Sequence, residues 1–435
     1  MSPLEVGFAG IAAILVLMAF RVPIGLALGV VAIVGIAAIR GIPSAYSAIR
    51  GMPWDVAAKF ELSAIPMFIL MGSLAHFGGL SAALFKAARL WVGALPGGLA
   101  ISANFACAGF AAASGASVAT AAAMGKIAIP EMLRSGYDRG LATGVVAAGG
   151  TLGIMIPPSI GFVLYGIFAE VSISKLLIAG ILPGILTAVV YALMIVIRCT
   201  IRPELGPPQE VNATWGDRLR ALGEIWPLLV LILGVIGGIY GGLTTPTEAG
   251  AFGAFLALAI AVVQGKMTWS RFMDSILEAV STTARIFFIV IGAVLFSRLL
   301  SLAGTAPYLT GLVQDYITDP LPLILASAVL FIILGMFLDA LGLMLLTLPV
   351  LLPLFAAAKM DLIWFGVLTI KFVEIGLITP PVGMNVYVIK GVAGPDISLE
   401  TVFKGVFWFI GCEVIIVTLL VAFPQISLYL PNLMS

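Results

Sequence analysis

Gly149-Gly150-Thr151-Leu152-Gly153-Ile154-Met155-Ile156-Pro157-Pro158-Ser159 lies in a long apolar segment with the composition of a membrane helix, yet it cannot form a continuous one. Pro157 and Pro158 remove two backbone donors and clash with the preceding turn. The glycines upstream favour non-helical dihedrals and admit other groups close to the main chain, so carbonyls freed at the break can face an ion or ligand. A second copy follows at Gly376-Leu377-Ile378-Thr379-Pro380-Pro381-Val382-Gly383. Broken helices in corresponding positions of two halves are the sequence mark of a membrane transport site.

Composition sets the solvent. The 435 residues are 61% hydrophobic and 10% charged, with a mean hydropathy of +1.18, which places the chain in a bilayer as a polytopic protein. A net charge of +1 with no long basic run excludes nucleic acid as a partner. Cys107, Cys199 and Cys412 are far apart in apolar surroundings, and His76 is the single histidine, so neither a disulfide framework, a zinc site nor another cofactor is expected. The first apolar run, 6–20, follows Glu5 rather than a basic region and lacks a small-residue cleavage pattern, so it is expected to remain as a helix.

Runs long enough to cross about 30 Å of hydrocarbon fall at 4–20, 24–39, 62–77, 141–168 and 176–197, and again at 227–243, 249–263, 282–300, 364–389 and 402–423. Shifting the sequence by 223 superposes Pro23 on Pro246, Pro130 on Pro353, Pro157 on Pro380, Pro158 on Pro381 and Gly153 on Gly376. Chance would give about one such match. Five crossings per half make the second half enter from the opposite side, an inverted repeat. With the N-terminus outside, Arg40, Arg50, Lys59, Lys175 and Lys359 fall outside, whereas fourteen Lys and Arg, among them Arg21, Arg139, Arg198, Lys390 and Lys404, fall inside. Arg285, Arg298 and Lys371 lie within or at the ends of spans. That excess of cations marks the cytoplasmic face.

Two apolar segments remain, 97–130 and 321–353, each too long for a loop and each leading to the wrong side if it crosses. They are interrupted centrally, at Ala113-Ser114-Gly115-Ala116-Ser117 and at 335–342. Both are read as re-entrant helical hairpins whose tips meet the broken helix of their own half. The fold expected is an all-α polytopic membrane protein, an inverted repeat of five crossings each plus two hairpins. The segments are 1–96 (first scaffold and arm), 97–200 (first hairpin, broken helix and following span), 201–226 (cytoplasmic linker), 227–320 (second scaffold and arm) and 321–435 (second hairpin, broken helix and final span). Amphipathic stretches at 80–95 and 269–280 suit interfacial arm helices or ordinary loop helices.

Catalysis finds little support. His76 sits at a span end, and the mid-span acids Asp339, Glu374 and Glu413 show no matching partner in the other half. A cation site asks instead for several oxygen ligands, mostly neutral, presented by irregular backbone. In the first half the candidates are Ser114, Gly115 and Ser117 at the tip and Gly150, Thr151 and Gly153 at the break. In the second they are Gly335 and Asp339 at the tip and Thr379, Pro380, Val382 and Gly383 at the break. Thr120, Ser159 and Asn385 are candidate substrate ligands, and helix ends at tips and breaks favour an anion beside the cations. Structural roles compete at each position. Small residues pack membrane helices, Asp339 suits a helix cap, and Glu374 suits a pair with Lys371.

Several stretches carry a family resemblance: Glu61-Leu62-Ser63-Ala64-Ile65-Pro66-Met67, Leu95-Pro96-Gly97-Gly98, Gly150-Thr151-Leu152-Gly153 through Pro157-Pro158-Ser159, Thr245-Pro246-Thr247-Glu248-Ala249, Gly335 to Asp339, and Glu374 through Asn385. With these the chain resembles the large membrane subunit of a tripartite ATP-independent periplasmic (TRAP) transporter. The resemblance implies a sodium-coupled importer of a small carboxylate in a bacterial inner membrane, working as an elevator. It also implies two partners: a periplasmic substrate-binding protein and a small four-helix membrane subunit, expected as a separate chain because no apolar span precedes Leu4. A carrier of similar fold that needs no binding protein is the alternative. Ala116 stands where many relatives carry serine, leaving a backbone carbonyl to serve there.

Overall fold

The computed structural model describes residues 1–208, 213–316 and 320–434. Within the expected segments, 209–212 of the linker, 317–319 before the second hairpin, and Ser435 lie outside the described residues. Helices account for the regular structure of everything described.

The sequence offset of 223 governs the helix boundaries as well as the prolines. Arg139–Met155 and Leu362–Ile378 are both 17 residues long and start and stop at that offset. So do their caps, since Asp138 accepts from the N–H of Leu141, and Asp361 from those of Ile363 and Trp364. An N-cap carboxylate satisfies orphan donors of the first turn and favours the positive end of the helix dipole. Ser117–Arg134 and Ala340–Ala357 are also paired, 18 residues each, and both continue through their internal prolines, Pro130 and Pro353.

Both interrupted segments form helical hairpins. Gly98–Ser114 packs on Ser117–Arg134 across a turn at Gly115 and Ala116, and Pro320–Gly335 packs on Ala340–Ala357 across 336–339. At the centre lie the two interrupted helices, with every residue from Gly140 to Met155 and from Phe365 to Ile378 buried. A helix buried all round must be enclosed by protein on every side. Both arms of the first hairpin, Leu362–Ile378, Met384–Ala393 and Leu399–Ala422 all pack on Arg139–Met155. The last three of these come from the second half, so the halves interdigitate. A peripheral group joins Ala64–Phe77 to Pro246–Val263 and Trp269–Ala303, and Trp269–Ala303 to Ile24–Arg40. Outward faces carry Phe255, Val263, Phe407, Val414 and Ile415, all exposed and apolar, as lipid contact requires.

Six helices among the described residues are at least 18 residues long and apolar enough to cross a membrane, and two bent pairs raise the number to eight. The chain is therefore a multi-pass membrane protein. Pro3–Ala19 and Ile24–Arg40, at 17 residues, fall one short, while the hairpin arm Ala340–Ala357 reaches the length of a crossing.

Local expectations are corrected at two places. Gly149 to Gly153 are helical, and the helix continues to Met155 before it breaks at Ile156. The stretch 269–280 is no separate arm, because Trp269–Ala303 is one helix of 35 residues, about 52 Å at 1.5 Å per residue. The expected run 176–197 lies within one candidate span, Ile173–Ile201, which passes through Gly180 in helical conformation. Charge alone did not stop the long helix, since Arg271, Asp274 and Glu278 extend beyond or along the edge of the apolar length without breaking hydrogen bonds.

Candidate transport site

The first tip is built around Gly115. Its φ of 62° stops Gly98–Ser114 in the left-handed conformation that glycine adopts without steric cost. Ala116 is extended, and its carbonyl accepts from the N–H of Thr120 at 3.1 Å and from the Thr120 hydroxyl at 2.9 Å. The Thr120 hydroxyl also lies 2.6 Å from that of Ser114, closing the turn. The break meets this tip directly. Ile160 donates its N–H to the carbonyl of Gly115 at 3.3 Å, and a side chain at Gly115 would come within 2.6 Å of the Pro158 carbonyl. At Gly153 an added carbon would stand 2.5 Å from the Ala116 carbonyl, so the helix approaches the tip as closely as a backbone can.

The second site repeats the scheme with different chemistry. Gly335 and Gly376 touch backbone to backbone, since a carbon added to either would lie under 3 Å from the other's Cα. Gly383, at φ 57°, donates its N–H to the carbonyl of Met336 at 3.1 Å. Gly383 stands at the repeat position of Ile160, so the residue leaving each break bonds to the tip of its own half. Asp339 stands at the repeat position of Ala116. It caps Ala340–Ala357, accepting from Gly342 at 3.1 Å, and it is half-buried. Thr379 ends the helix and donates its hydroxyl to Ile375 at 2.6 Å.

The remaining candidates fall into separate groups. Gly150 packs against Ala121, and Thr151 donates to Ala148 at 2.7 Å, so both serve helix packing in this arrangement. Ser159 is fully buried and spans the break, donating to Ile154 and accepting from Phe162 at the head of Ile160–Ala169. Asn385 belongs to the second half but bonds in the first. Its Nδ2 lies 2.7 Å from the Ser117 hydroxyl and 3.1 Å from the Ala147 carbonyl, while the Ser117 hydroxyl is 3.0 Å from its Oδ1. Val382, with Pro380 and Pro381, forms the second break, where both prolines are exposed. Pro157 and Pro158 are buried against Leu177, Ile178, Ile236 and Ile239. Pro380 opens on a cavity of about 600 Å³ whose lining includes Asp138, Arg198, Glu400, Lys404 and Trp408.

The pairing of Glu374 with Lys371 anticipated from the sequence is present, at 2.5 Å, but the group it belongs to is larger than the sequence indicated. Glu374 and Glu413 do have a common partner, Lys371, and two residues of the first half, Thr187 and Tyr191, complete the cluster. The signal available was the spacing of Lys371 and Glu374, one helical turn apart. Nothing in the sequence brings Glu413 or Tyr191 to them.

Paired interruptions that expose carbonyls and hydroxyls beside hairpin tips define a membrane transport fold. The YdaH transporter of Alcanivorax borkumensis shares it, with a TM-score of 0.64 over 89% of this chain and 90% of that one at 14% identity. At the level of sequence, the model of the DctM component of tripartite ATP-independent periplasmic transporters matches residues 11–426, and the chain belongs to that family. It is a transporter permease component, not an enzyme. The isethionate TRAP permease DctMQ of Oleidesulfovibrio alaskensis is 36% identical over 91% of this chain, which spans 62% of the DctMQ length. The C4-dicarboxylate large permease DctM of Pseudomonas aeruginosa is 35% identical, covering 87% of this chain and 88% of its own. The sialic acid permease SiaT of Haemophilus influenzae is 33% identical over 86% of this chain and 60% of its own length.

Proposed function

We propose that this chain is the large membrane subunit of a sodium-coupled secondary importer in a bacterial inner membrane, moving a small carboxylate-containing solute delivered by a periplasmic binding protein. The observation that carries this reading is that each break meets the hairpin tip of its own half, Ile160 with Gly115 and Gly383 with Met336, where Ile160 and Gly383 are related by the repeat offset. Each meeting gathers carbonyl and hydroxyl oxygens, the ligands a hard cation takes. The relatives' names, C4-dicarboxylate and sialic acid among them, support an organic acid as solute, and the fused DctMQ relative supports a small membrane subunit as partner.

In the mechanism, sodium binds among Ser114, Gly115, Ser117, Gly150, Thr151 and Gly153 in the first half. A second ion binds among Gly335, Asp339, Thr379, Pro380, Val382 and Gly383. Ions that order the tips reduce the later cost of ordering them around the solute, which gives coupling without direct contact between ligands. Thr120, Ser159 and Asn385 bound the solute pocket. Hairpins and interrupted helices move together as an elevator against the peripheral helices. With the N-terminus periplasmic, the exposed second break and its cavity face the cytoplasm, which corresponds to an inward-open arrangement.

The test is uptake into proteoliposomes holding this chain with its small subunit, with and without the binding protein. Uptake of a labelled dicarboxylate, sialic acid or other organic acid is expected to require both an inward sodium gradient and the binding protein. Equal uptake in sodium-free buffer would sink the coupling, and uptake indifferent to the binding protein would make the chain a stand-alone carrier.

A further inference from the structure

Lys371, Glu374 and Glu413 are all fully buried, and Lys371 Nζ lies 2.5 Å from Glu374 and 2.8 Å from the Glu413 carboxylate. Thr187 Oγ1 is 3.1 Å from the same ammonium, and Tyr191 donates to Glu413 Oε1 at 2.5 Å. Glu374 Oε1 is buried with no hydrogen-bond partner. The groups that act on this cluster are Tyr191 from Ile181–Ile201 and Cys412 beside Glu413 on Leu399–Ala422. The other elements packed on Leu362–Ile378 bring it no further charge among the described residues.

Charge counting decides what this cluster holds. One ammonium and two carboxylates, all ionised, leave a net negative charge inside a membrane protein with no solvent contact. Burying an uncompensated charge is strongly unfavourable, and two carboxylates on one site do not both ionise readily. A single proton removes the excess. Glu374 Oε1 and Glu413 Oε2, one oxygen on each carboxylate, have no hydrogen-bond partner, so the proton fits on either without displacing an existing hydrogen bond. Nor does the fold require the cluster. At the repeat positions of Lys371, Glu374 and Glu413 the first half carries Ala148, Thr151 and Val190, and there the same helix is built with one hydroxyl-to-carbonyl bond. Only the second half installs charge, two residues before Gly376 meets the tip.

We propose that Lys371, Glu374 and Glu413 form a proton-binding site, in which the two carboxylates share one bound proton beside the charged lysine. The proton comes from solvent and no bond other than O–H is made. The neutral cluster then joins the second interrupted helix to Leu399–Ala422 and to Ile181–Ile201 of the first half, whatever ion couples transport.

The test is infrared spectroscopy of the purified full-length protein at neutral pH, reading the carbonyl stretch of a protonated carboxylic acid. Wild-type protein is expected to show the band, shifted when the glutamates carry carbon-13. Glu374→Gln and Glu413→Gln are each expected to lose it, because the remaining carboxylate becomes the sole counter-ion of Lys371 and ionises. Lys371→Met is expected to double it, since both carboxylates then lose their cation. The proposal is overturned by a wild-type spectrum with no glutamate band, a readout that needs no variant to fold, or by a band that both glutamine variants retain.

Discussion

The backbone N–H of Gly383 donates to the carbonyl of Met336 at 3.1 Å, fastening the second break to the second hairpin tip. The bond matters because Gly383 sits at φ 57° and starts Met384–Ala393, the helix whose Asn385 reaches into the first half. One backbone contact thus links a tip, a break and the opposite repeat.

The glycine at the first tip tests the geometry of the meeting. Gly115→Ala costs about 1–2 kcal/mol from its left-handed backbone alone, before the new carbon meets the Pro158 carbonyl at 2.6 Å. Thermal unfolding is expected to shift downward, and uptake to fall by an order of magnitude or more. A fully active, equally stable variant would show that the tip has room this arrangement denies.

Asn385 and Ser117 are expected to behave as a coupled pair. Removing either leaves buried polar groups without partners, at a cost of about 1–3 kcal/mol. In a double-mutant cycle of Asn385→Ala with Ser117→Ala, the coupling in stability is expected to be at least about 0.5 kcal/mol. Strict additivity would mean that the two halves are not joined there.

Asp339 allows cap and charge to be separated. Asp339→Asn keeps an oxygen able to accept from Gly342 and removes the negative charge, whereas Asp339→Ala removes both. Stability is expected to fall by about 1 kcal/mol in the alanine variant and little in the asparagine one. The sodium concentration for half-maximal uptake is expected to rise in both. Unchanged sodium dependence in both, and in Thr379→Val, would remove the second site from the mechanism.

Thiol labelling distinguishes the two breaks. Cys107, Cys199 and Cys412 are buried, so background reaction is low. Lys404→Cys, in the cavity that reaches Pro380, is expected to react quickly with a membrane-impermeant maleimide applied from the cytoplasmic face. Ser159→Cys, fully buried at the first break, is expected to resist it. Equal rates would contradict the difference in exposure between the breaks.

Much of the chain's plan was legible because it is written in local chemistry. Paired prolines must interrupt a helix wherever they fall, long apolar runs must leave water, and a recurring offset is visible without coordinates. Pro157–Pro158 and Pro380–Pro381 were identified on those grounds, and Gly115 through the run of small residues that interrupts 97–130. The glycines 149–153 misled, because glycine permits an irregular backbone without demanding one. Here the surrounding hairpin arms demand a helix thin enough to approach. The reach of Trp269–Ala303 was equally hidden, since polar residues at the edge of an apolar run do not by themselves stop a helix.

By itself the sequence determined that the protein is membrane-embedded, duplicated and twice broken, since these follow from composition, periodicity and the missing N–H of proline. Tertiary structure alone decided which distant residues share a hydrogen bond: Asn385 with Ser117, and Glu413 with Lys371. Those pairs lie 268 and 42 residues apart. Their meeting depends on how interlocked helices pack in three dimensions, a relation that no local rule of the chain encodes.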